Sequence, residues 1–385
     1  MSRILMVSAE ASSVLYAEQL MKHWQVQGKH HEYFGVGSRS MEKLGFKCFG
    51  FAEEMAVMGF SEVIKHYSHI KDVFHQILTE VDRAKPAVAV LLDYPGFNLR
   101  LSKELHQRGI PVVYYISPQI WAWKKNRIHT VKAFVTKMLV VFPFEVDFYQ
   151  SHQVPVEYVG HPLLDELKPE LMDADFNLKR RGRLGITGAQ KVLGLMPGSR
   201  KQEIERHLQV QLAVAQQLVK KHDNLKVLLL VAPTLSKDYI QEQLEDLKFP
   251  VTVVQDEPFN MISLTDAVLA ASGTATLMVG LLEKPMVIMY KVSWLSAFIG
   301  RRLVKGFFGL VNLLSKKEIV PEIFQERATP EVLTPLVESA LYDQSVRAQM
   351  VADLQALKTT LGTKGVTPRV AAAIEEFLVA PAQGR

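Results

Sequence analysis

The stretch VLGLMPGSRKQEIERHLQVQLAVAQQLVKK, residues 192–221, decides the fold prediction. Its first five residues, 192–196, form a short uncharged run of the kind that makes a buried parallel strand. A turn of small residues follows, and residues 201–221 then repeat apolar side chains at helical spacing. A strand, a tight turn and a helix in this order make one step of a βαβ unit.

The same step recurs along the whole chain. Short apolar runs predict further strands at 3–8, 32–36, 87–93, 112–116, 138–142, 156–159, 226–231, 251–254, 267–270 and 286–290. Helix-like segments lie at about 14–27, 61–82, 99–108, 124–135, 145–152, 236–246, 274–283, 330–341 and 344–360. This alternation predicts α/β architecture with parallel sheets.

The alternation stops between about 165 and 190, where the chain is polar and carries a basic run at 179–183. We therefore predict an N-terminal domain over 1–165, a solvated linker over 166–190 and a C-terminal domain over 191–360. Residues 361–385 are expected to form a helix and tail that can pack on the first domain. In such domains, ligands bind outside the carboxyl ends of the strands.

Composition places the chain of 385 residues among ordinary globular proteins, with 48% apolar and 22% charged residues. The single cysteine, Cys48, excludes an internal disulfide framework and a cysteine-cluster metal site. The net charge of +5 suits a nucleic acid, an anionic membrane surface or a phosphorylated substrate. We expect no secretory signal and no transmembrane helix, because the uncharged runs fall short of the ~20 apolar residues that span a bilayer.

Two small-residue turns predict a phosphate site in the second domain. The turn at 197–200 puts Gly198 where the backbone must approach a ligand, and Ser199 where it can cap the helix. The helix N-terminus and the guanidinium of Arg200 suit a diphosphate. The turn at 272–275 repeats this pattern. The alternative is a plain strand-to-helix turn with close helix packing.

Asp93 ends the apolar run AVAVLL and precedes the turn residues YPGFN. A carboxylate at the end of a parallel strand faces the ligand crevice and can take a proton from an acceptor hydroxyl. The alternative is a helix cap for the segment that starts near 98. The first turn, SAEASS at 8–13, lacks the glycines of a dinucleotide loop. Histidines and carboxylates show no metal-ligand spacing, so we expect neither a cofactor nor a metal.

Two stretches have the composition of interfacial helices, in which aromatic side chains lie beside cations. In 55–78, apolar residues recur at helical spacing among lysines and histidines, and we expect lipid contact from Val63, Tyr67, Ile70 and Phe74. In 292–314, aromatic residues flank two arginines, and we expect lipid contact from Trp294, Phe298 and Phe307. An ordinary core helix is the alternative for both. The aromatic and basic mix at 121–127 has no RNA-binding motif with it, so no nucleic-acid partner is expected.

These loops, in this order, resemble the lipid-A-disaccharide synthase family over about residues 3–360. The matching stretches are EMAVMGFSEV (54–63), LLDYPGFN (91–98), YYISPQIWAWKKNRI (114–128), PFE (143–145), YVGHPLLD (158–165), LMPGSR (195–200), ASGTATL (271–277) and NLLSKKEIVPEIFQE (312–326). The resemblance implies a GT-B fold, in which two Rossmann-like domains face each other across a cleft.

The resemblance also implies a reaction. An inverting hexosyltransferase would join UDP-2,3-diacylglucosamine to 2,3-diacylglucosamine 1-phosphate without a metal, in lipid A biosynthesis. The products would be the β-1,6-linked disaccharide 1-phosphate and UDP. The family works as a peripheral protein on the cytoplasmic face of the inner membrane of Gram-negative bacteria, which implies an anionic membrane surface as partner. The resemblance does not decide between a monomer and a homodimer.

Site residues are implied by position. Asp93 matches the general base, and Arg200 matches the arginine that stabilises charge on the leaving UDP. The remaining expected substrate contacts are Glu10, Ser12, Met58, Gly198, Ser199, Glu203, Ser272, Gly273, Thr274 and Asn312.

Two positions depart from the family pattern. The N-terminal loop carries Val14 where the family has an aspartate, and Met278 stands where it has a glutamate that bonds the ribose. Glu283 lies more than a helical turn away and cannot replace that glutamate. A non-catalytic or altered-specificity paralogue that binds lipid or nucleotide is therefore the alternative function. A different UDP-sugar enzyme on this fold, such as a 2-epimerase, is the third hypothesis.

Overall fold

The computed structural model describes residues 2–55, 60–121, 125–233, 235–291 and 307–378, with residues 11, 60–67 and 125 described by their backbone alone. The chain divides into two compact units. The first comprises Met1–Asp165 together with Leu361–Arg385, and the second comprises Glu166–Thr360.

The first unit alternates strands and helices. Its strands are β1 Arg3–Ser8, β2 Glu32–Gly37, β3 Phe46–Phe51, β4 Val88–Leu92, β5 Val112–Tyr115, β6 Lys137–Val140 and β7 Val156–Tyr158. Its helices are α1 Ala11–Val26, α2 Arg39–Glu42, α3 Ala52–Met55, α4 Phe60–Ala84, α5 Pro95–Gln107, α6 Ile128–Phe134, α7 Phe144–Ser151 and the boundary helix α8 Leu163–Glu166. A 3₁₀ turn, Lys125–Arg127, precedes α6.

The strands of the first unit form one parallel sheet in the order β3-β2-β1-β4-β5-β6-β7. Its central strands are buried on both faces, which is why their sequences are continuous apolar runs. The order reverses between β1 and β4, so their carboxyl ends open the crevice where α/β proteins bind ligands. The edge strand β3 was not predicted, because FKCFGF mixes a charge and a glycine into its apolar pattern.

Helix α4 packs on this sheet, and two of the predicted lipid contacts lie on it. Ile70 and Phe74 are half-buried against the core of the first unit, and the Phe74 ring meets Phe97 edge to face at 5.3 Å. Part of their apolar surface is therefore used inside the fold. No helix among the described residues is long and apolar enough to cross a membrane.

A C-terminal helix completes the first unit. Helix α17, Val366–Glu375, packs against α1. The indole Nε1 of Trp24 and the ammonium of Lys29 donate to the Glu375 carboxylate at 2.8 and 2.7 Å. Trp24 is fully buried, so this carboxylate satisfies a donor that would otherwise be costly.

The second unit repeats the pattern. Its strands are β8 Lys191–Met196, β9 Leu225–Leu230, β10 Thr252–Val254, β11 Ala267–Ala271, β12 Met286–Tyr290 and β13 Glu322–Phe324. Its helices are α9 Ala174–Gly182, α10 Lys201–Lys221, α11 Lys237–Glu242, α12 Pro258–Ser263, α13 Thr274–Leu281, α14 Leu310–Ser315, α15 Pro330–Tyr342 and α16 Gln344–Thr360, with 3₁₀ turns at Pro169–Met172 and Gln325–Arg327.

The strands of the second unit also form a parallel sheet, in the order β10-β9-β8-β11-β12-β13. Here the order reverses between β8 and β11, and Met196 of β8 pairs with Ala270 of β11. The turns at 197–200 and 272–274 therefore begin side by side. The short edge strand β13 was not predicted, because three residues give no periodic signal.

The predicted linker, 166–190, belongs to the second unit. Within it, the guanidinium of Arg180 donates to the Ser263 hydroxyl and the Asn260 carbonyl at 2.6 and 2.8 Å. Arg181 pairs with Asp266 at 3.2 Å. Part of the basic run is thus bonded to the second unit rather than solvated, because these side chains satisfy polar groups beside α12.

Candidate active site

Two carboxyl residues follow adjacent strands at the switch point of the first sheet. Ser8, the last residue of β1, pairs with Leu92, the last residue of β4. Asp93 comes directly after β4, and Glu10 comes two residues after the end of β1. The register therefore brings both carboxylates to the ligand crevice, as predicted for Asp93.

The backbone of Asp93 has a positive φ of 46°, and that of Tyr94 has a φ of 47°. Left-handed conformations are unfavourable for residues with a Cβ atom and cost of order 1–3 kcal/mol each. Burial, and secondly the charge of Glu10, raise the pKa of the Asp93 carboxyl to about 6. Strain and a raised pKa at one carboxyl are typical of functional sites.

Two buried side chains bond to the Asp93 carbonyl. The Tyr114 hydroxyl donates to it at 2.5 Å, and Nδ2 of Asn98 donates to it at 2.7 Å. The same Asn98 nitrogen also donates to the Leu92 carbonyl at 3.2 Å. Sequence reasoning did not assign these two residues, although both lie in stretches that carry the family resemblance.

Glu10 occupies the N-cap position of α1. Its backbone N–H donates to the Ser13 hydroxyl, which donates in turn to the Glu10 carbonyl at 2.8 Å. Ser12 is exposed, as a substrate contact must be, while Val14 is half-buried in the same turn. The Ser13 hydroxyl thus holds this turn.

A further buried carboxyl lies at the same edge of the first sheet. Glu145, in the first turn of α7, is 1% exposed. It accepts from the Phe142 N–H at 3.1 Å and from the Trp121 indole at 3.2 Å. Burial raises the pKa of Glu145 to about 7. Because the side chain is enclosed, it ties the loop before Trp121 to the end of β6 rather than facing a ligand.

In the second unit, Gly198 turns the chain between β8 and α10. Its φ is 128°, and a Cβ there would lie 2.5 Å from the Cβ of Glu203, so only glycine fits. The Glu203 carboxylate accepts from the Ser199 N–H at 2.8 Å. The N-cap falls on the half-exposed Arg200 and not, as predicted, on Ser199, because the chain stays extended as far as Arg200.

The turn between β11 and α13 carries Ser272, Gly273 and Thr274. The Ser272 hydroxyl donates to the Phe308 carbonyl at 3.3 Å, while Gly273 and Thr274 are exposed. Met278 is half-buried one turn further along α13.

The carboxylate of Glu283 lies beyond the end of α13. It accepts from Lys358 and Gln355, each at 2.8 Å. These two bonds engage both of its oxygens with helix α16. Glu283 therefore does not replace the missing glutamate at position 278.

His207 joins the first of these turns to strand β12. Its Nδ1 donates to the Pro197 carbonyl at 2.8 Å, and its Nε2 accepts from the Lys291 N–H at 3.0 Å. Burial lowers the pKa of His207, so the neutral ring makes both bonds. With Nδ1 as donor and Nε2 as acceptor, the neutral ring fixes the turn beside Arg200 without adding charge.

Asn312 was predicted to contact the donor, and its contacts in the structure are different. It is fully buried, and its Nδ2 donates to the Val320 carbonyl and the Glu322 carboxylate at 2.8 and 2.6 Å. Its Oδ1 accepts from the N–H groups of Ile319 and Val320. With these bonds, Asn312 engages its amide donors and acceptor lone pairs and positions the segment before β13.

Glu322 extends this network towards the Ser272 turn. Its carboxylate accepts from the N–H groups of Phe308 and Gly309 at 3.0 and 3.1 Å. Phe307, a predicted lipid contact, precedes this segment and is half-buried. The predicted contacts Met58, Trp294 and Phe298 lie outside the described residues, as do the side chains of Val63 and Tyr67.

Within the described ranges, no group of three or more His, Cys, Asp or Glu side chains is placed to hold a metal ion. The candidate site residues are carboxylates at the carboxyl edge of one sheet, and an arginine with small-residue turns at the carboxyl edge of the other. Two parallel-sheet α/β units are the architecture of the GT-B class of folds.

Comparisons with known proteins agree with this class. A UDP-GlcNAc 2-epimerase from Neisseria meningitidis, solved with UDP-GlcNAc bound, superposes with a TM-score of 0.63 at 11% identity, covering 97% of this chain and 100% of that chain. The calicheamicin glycosyltransferase CalG4 superposes with a TM-score of 0.62 at 14% identity, covering 99% of this chain and 100% of that chain. At these identities the likeness shows the fold alone.

Sequence relatives identify the family. The lipid-A-disaccharide synthetase family matches residues 4–372. The lipid-A-disaccharide synthase of Geobacter sulfurreducens is 36% identical over 98% of this chain and 97% of its own length. That of Myxococcus xanthus is 34% identical over 98% of this chain and 97% of its own length. The chain belongs to the lipid-A-disaccharide synthetase family, and it is a glycosyltransferase of lipid A biosynthesis, as the resemblance implied.

Proposed function

We propose that the chain joins UDP-2,3-diacylglucosamine to 2,3-diacylglucosamine 1-phosphate and releases UDP. Membership of the family supports the reaction, and the UDP-sugar in the solved neighbour supports the donor class. The observation that carries the proposal is the state of Asp93 at the switch point of the first sheet, where its backbone is strained and the pKa of its carboxyl is raised.

In the proposed step, the Asp93 carboxylate takes the proton of the acceptor 6-hydroxyl. The hydroxyl oxygen attacks the anomeric carbon of the donor from the face opposite the diphosphate. The new C–O bond forms as the bond to the diphosphate breaks, and UDP leaves with the electron pair. The configuration at the anomeric carbon is inverted, and the proton ends on Asp93.

We assign the leaving diphosphate to the second unit. Arg200 is half-exposed at the start of the 21-residue helix α10, where a guanidinium and free N–H groups meet an anion. Gly198, Ser199 and the turn at 272–274 allow the phosphates to approach the backbone. Glu203 holds the Ser199 N–H, and it supports this turn from within the protein.

We assign the acceptor to the first unit, with Glu10 and Ser12 beside Asp93 and Met58 as a further contact. Both proposed substrates carry acyl chains, and the net charge of +5 favours an anionic surface. We therefore place the protein on the cytoplasmic face of the inner membrane as a peripheral protein, with Val63, Tyr67, Trp294, Phe298 and Phe307 as the proposed lipid contacts.

A non-catalytic or altered-specificity paralogue is the second candidate. Val14 and Met278 favour it, because both replace acidic residues of the family pattern. A ribose that loses a charged acceptor loses about 1.5–3 kcal/mol, or roughly tenfold to a hundredfold in affinity.

A turnover assay tests the proposal. The purified chain in detergent micelles receives both acylated substrates, and UDP release and disaccharide formation are followed together. Asp93→Asn removes the base without changing its size, and Asp72→Asn changes an exposed aspartate of α4 as the matched control. We expect product from the wild type and the control, and at least a hundredfold loss in Asp93→Asn.

Less than tenfold loss in Asp93→Asn would reject this residue as the base. No product from the wild type, with UDP binding retained in calorimetry, would favour the paralogue. In that case Val14→Asp with Met278→Glu should create turnover.

A further inference from the structure

The backbone of Asp93 is hydrogen-bonded by buried side chains that do not face the crevice. Asp93 and Tyr94 are consecutive residues with positive φ. A relaxed backbone would rotate this peptide and turn the Asp93 carboxylate in another direction, because φ and ψ fix where a side chain points. Contacts that keep the strained conformation therefore also keep the direction of the carboxylate.

Two donors converge on one acceptor at this peptide. The Tyr114 hydroxyl on β5 and the Asn98 amide on α5 both bond to the Asp93 carbonyl, at 2.5 and 2.7 Å. Both side chains are 0% exposed. The Asp93 N–H adds a third bond, to the Tyr115 carbonyl at 3.1 Å. The N–H and the carbonyl of Asp93 are thus both bonded, to residues of β5 and of α5.

Asn98 shows that the donors matter more than the filling of space. Its Oδ1 is buried and has no hydrogen-bond partner among the described residues, which is unfavourable. A leucine of similar size would avoid that cost. The amide compensates through the bonds of its Nδ2 to the carbonyls of Leu92 and Asp93.

We propose that Tyr114 and Asn98 are positioning residues, which lock the Asp93 peptide in its left-handed conformation so that the carboxylate meets the acceptor hydroxyl. This inference rests on the proposed role of Asp93 as the base. Neither side chain touches the substrate, because both are enclosed beneath the crevice.

The charges around Asp93 determine how the rate responds to pH. Glu10 faces it from the start of α1 and, after burial, is the second cause of its raised pKa, while the Tyr94 N–H opposes the rise. The charge of Arg127 acts on the Tyr114 hydroxyl. If the Asp93 peptide relaxes, its carboxyl leaves the buried position and its pKa falls towards the ordinary range.

Tyr114→Phe removes one donor and keeps the ring, while Asn98→Leu removes the other donor and keeps the size. Tyr33→Phe is the matched control, because Tyr33 is a buried tyrosine of the same sheet. It lies near the amino end of β2, whereas Asp93 follows the carboxyl end of β4. Turnover at saturating substrate, the donor KM, the pH dependence of kcat and the UDP affinity are measured for each variant. An unchanged Tm shows that the first unit of a variant, which carries the substitution, is folded, and retained UDP affinity shows the same for the second unit.

We expect kcat to fall about 10- to 100-fold in Tyr114→Phe and Asn98→Leu, with the donor KM changed less than about threefold. The acid limb of kcat should move to lower pH in both, and Tyr33→Phe should match the wild type. Wild-type kcat in Tyr114→Phe, or a loss of kcat with an unmoved acid limb, would overturn the inference.

Asp93→Asn in the same assay separates a failure of the proposed base from a failure of the proposed positioning role. If Asp93→Asn stays active, the proposed base is wrong. If Asp93→Asn is inactive and Tyr114→Phe matches the wild type, Asp93 stands and the positioning role is wrong.

Discussion

Replacing Glu10 with glutamine should move the acid limb of the pH–rate profile towards lower pH. Asp93 must be ionised to accept the proton, so turnover falls as the pH falls through its pKa. Burial raises that pKa to about 6, with the like charge of Glu10 as the second cause. The substitution Glu10→Gln keeps the size of the side chain and removes its charge, so the Asp93 carboxyl would ionise more readily.

The magnitude follows from the pKa of about 6. At pH 5 about one tenth of the wild-type enzyme carries the ionised base, and at pH 7 about nine tenths does. Burial is the larger cause and remains in Glu10→Gln, so the variant should keep a raised pKa. We expect its rate at pH 5, relative to its own plateau, to rise about two- to fivefold over that of the wild type.

Initial rates at saturating substrate, from about pH 5 to pH 8, give the profile. Normalising each variant to its own plateau separates the ionisation of Asp93 from any substrate contact that Glu10 makes. Glu32→Gln is the control, because Glu32 is exposed and pairs with Arg3 at the amino edge of the same sheet. An acid limb of Glu10→Gln that coincides with the wild type, or lies at higher pH, would refute the reasoning.

Three further outcomes are expected. Met278→Glu should tighten UDP binding about tenfold to a hundredfold in calorimetry, and unchanged affinity would mean that position 278 does not meet the ribose. Gly198→Ala should weaken UDP binding at least tenfold and lower Tm by several degrees. The reason is that the new Cβ would lie 2.5 Å from the Cβ of Glu203, at a residue whose φ is 128°. Wild-type affinity and Tm would contradict that clash. Glu375→Ala should lower the free energy of unfolding by about 1–3 kcal/mol in urea, because the buried Trp24 indole loses its hydrogen-bond acceptor. Glu376→Ala, which removes an exposed carboxylate, should lower it by less than about 0.5 kcal/mol.

The sequence by itself determined most of what is local. Apolar runs of four to seven residues predicted the central strands of both sheets, because strands buried on both faces leave a continuous apolar signal. The turn at 197–200 and the strand-end Asp93 were predicted from residue type and position alone. Helix α10 was predicted over 201–221 and spans Lys201–Lys221, because its amphipathic period is long and regular.

The tertiary structure alone decided which side chains are bonded within the protein. Asn312 is polar and lies in a stretch that carries the family resemblance, yet its bonds are internal. Ile70 and Phe74 have the composition of an interfacial helix, yet they pack on the first sheet. The donors to the Asp93 carbonyl come from β5 and from α5. The physical reason is that periodicity records how apolar a face is, while the partner of that face is set by strand order and register.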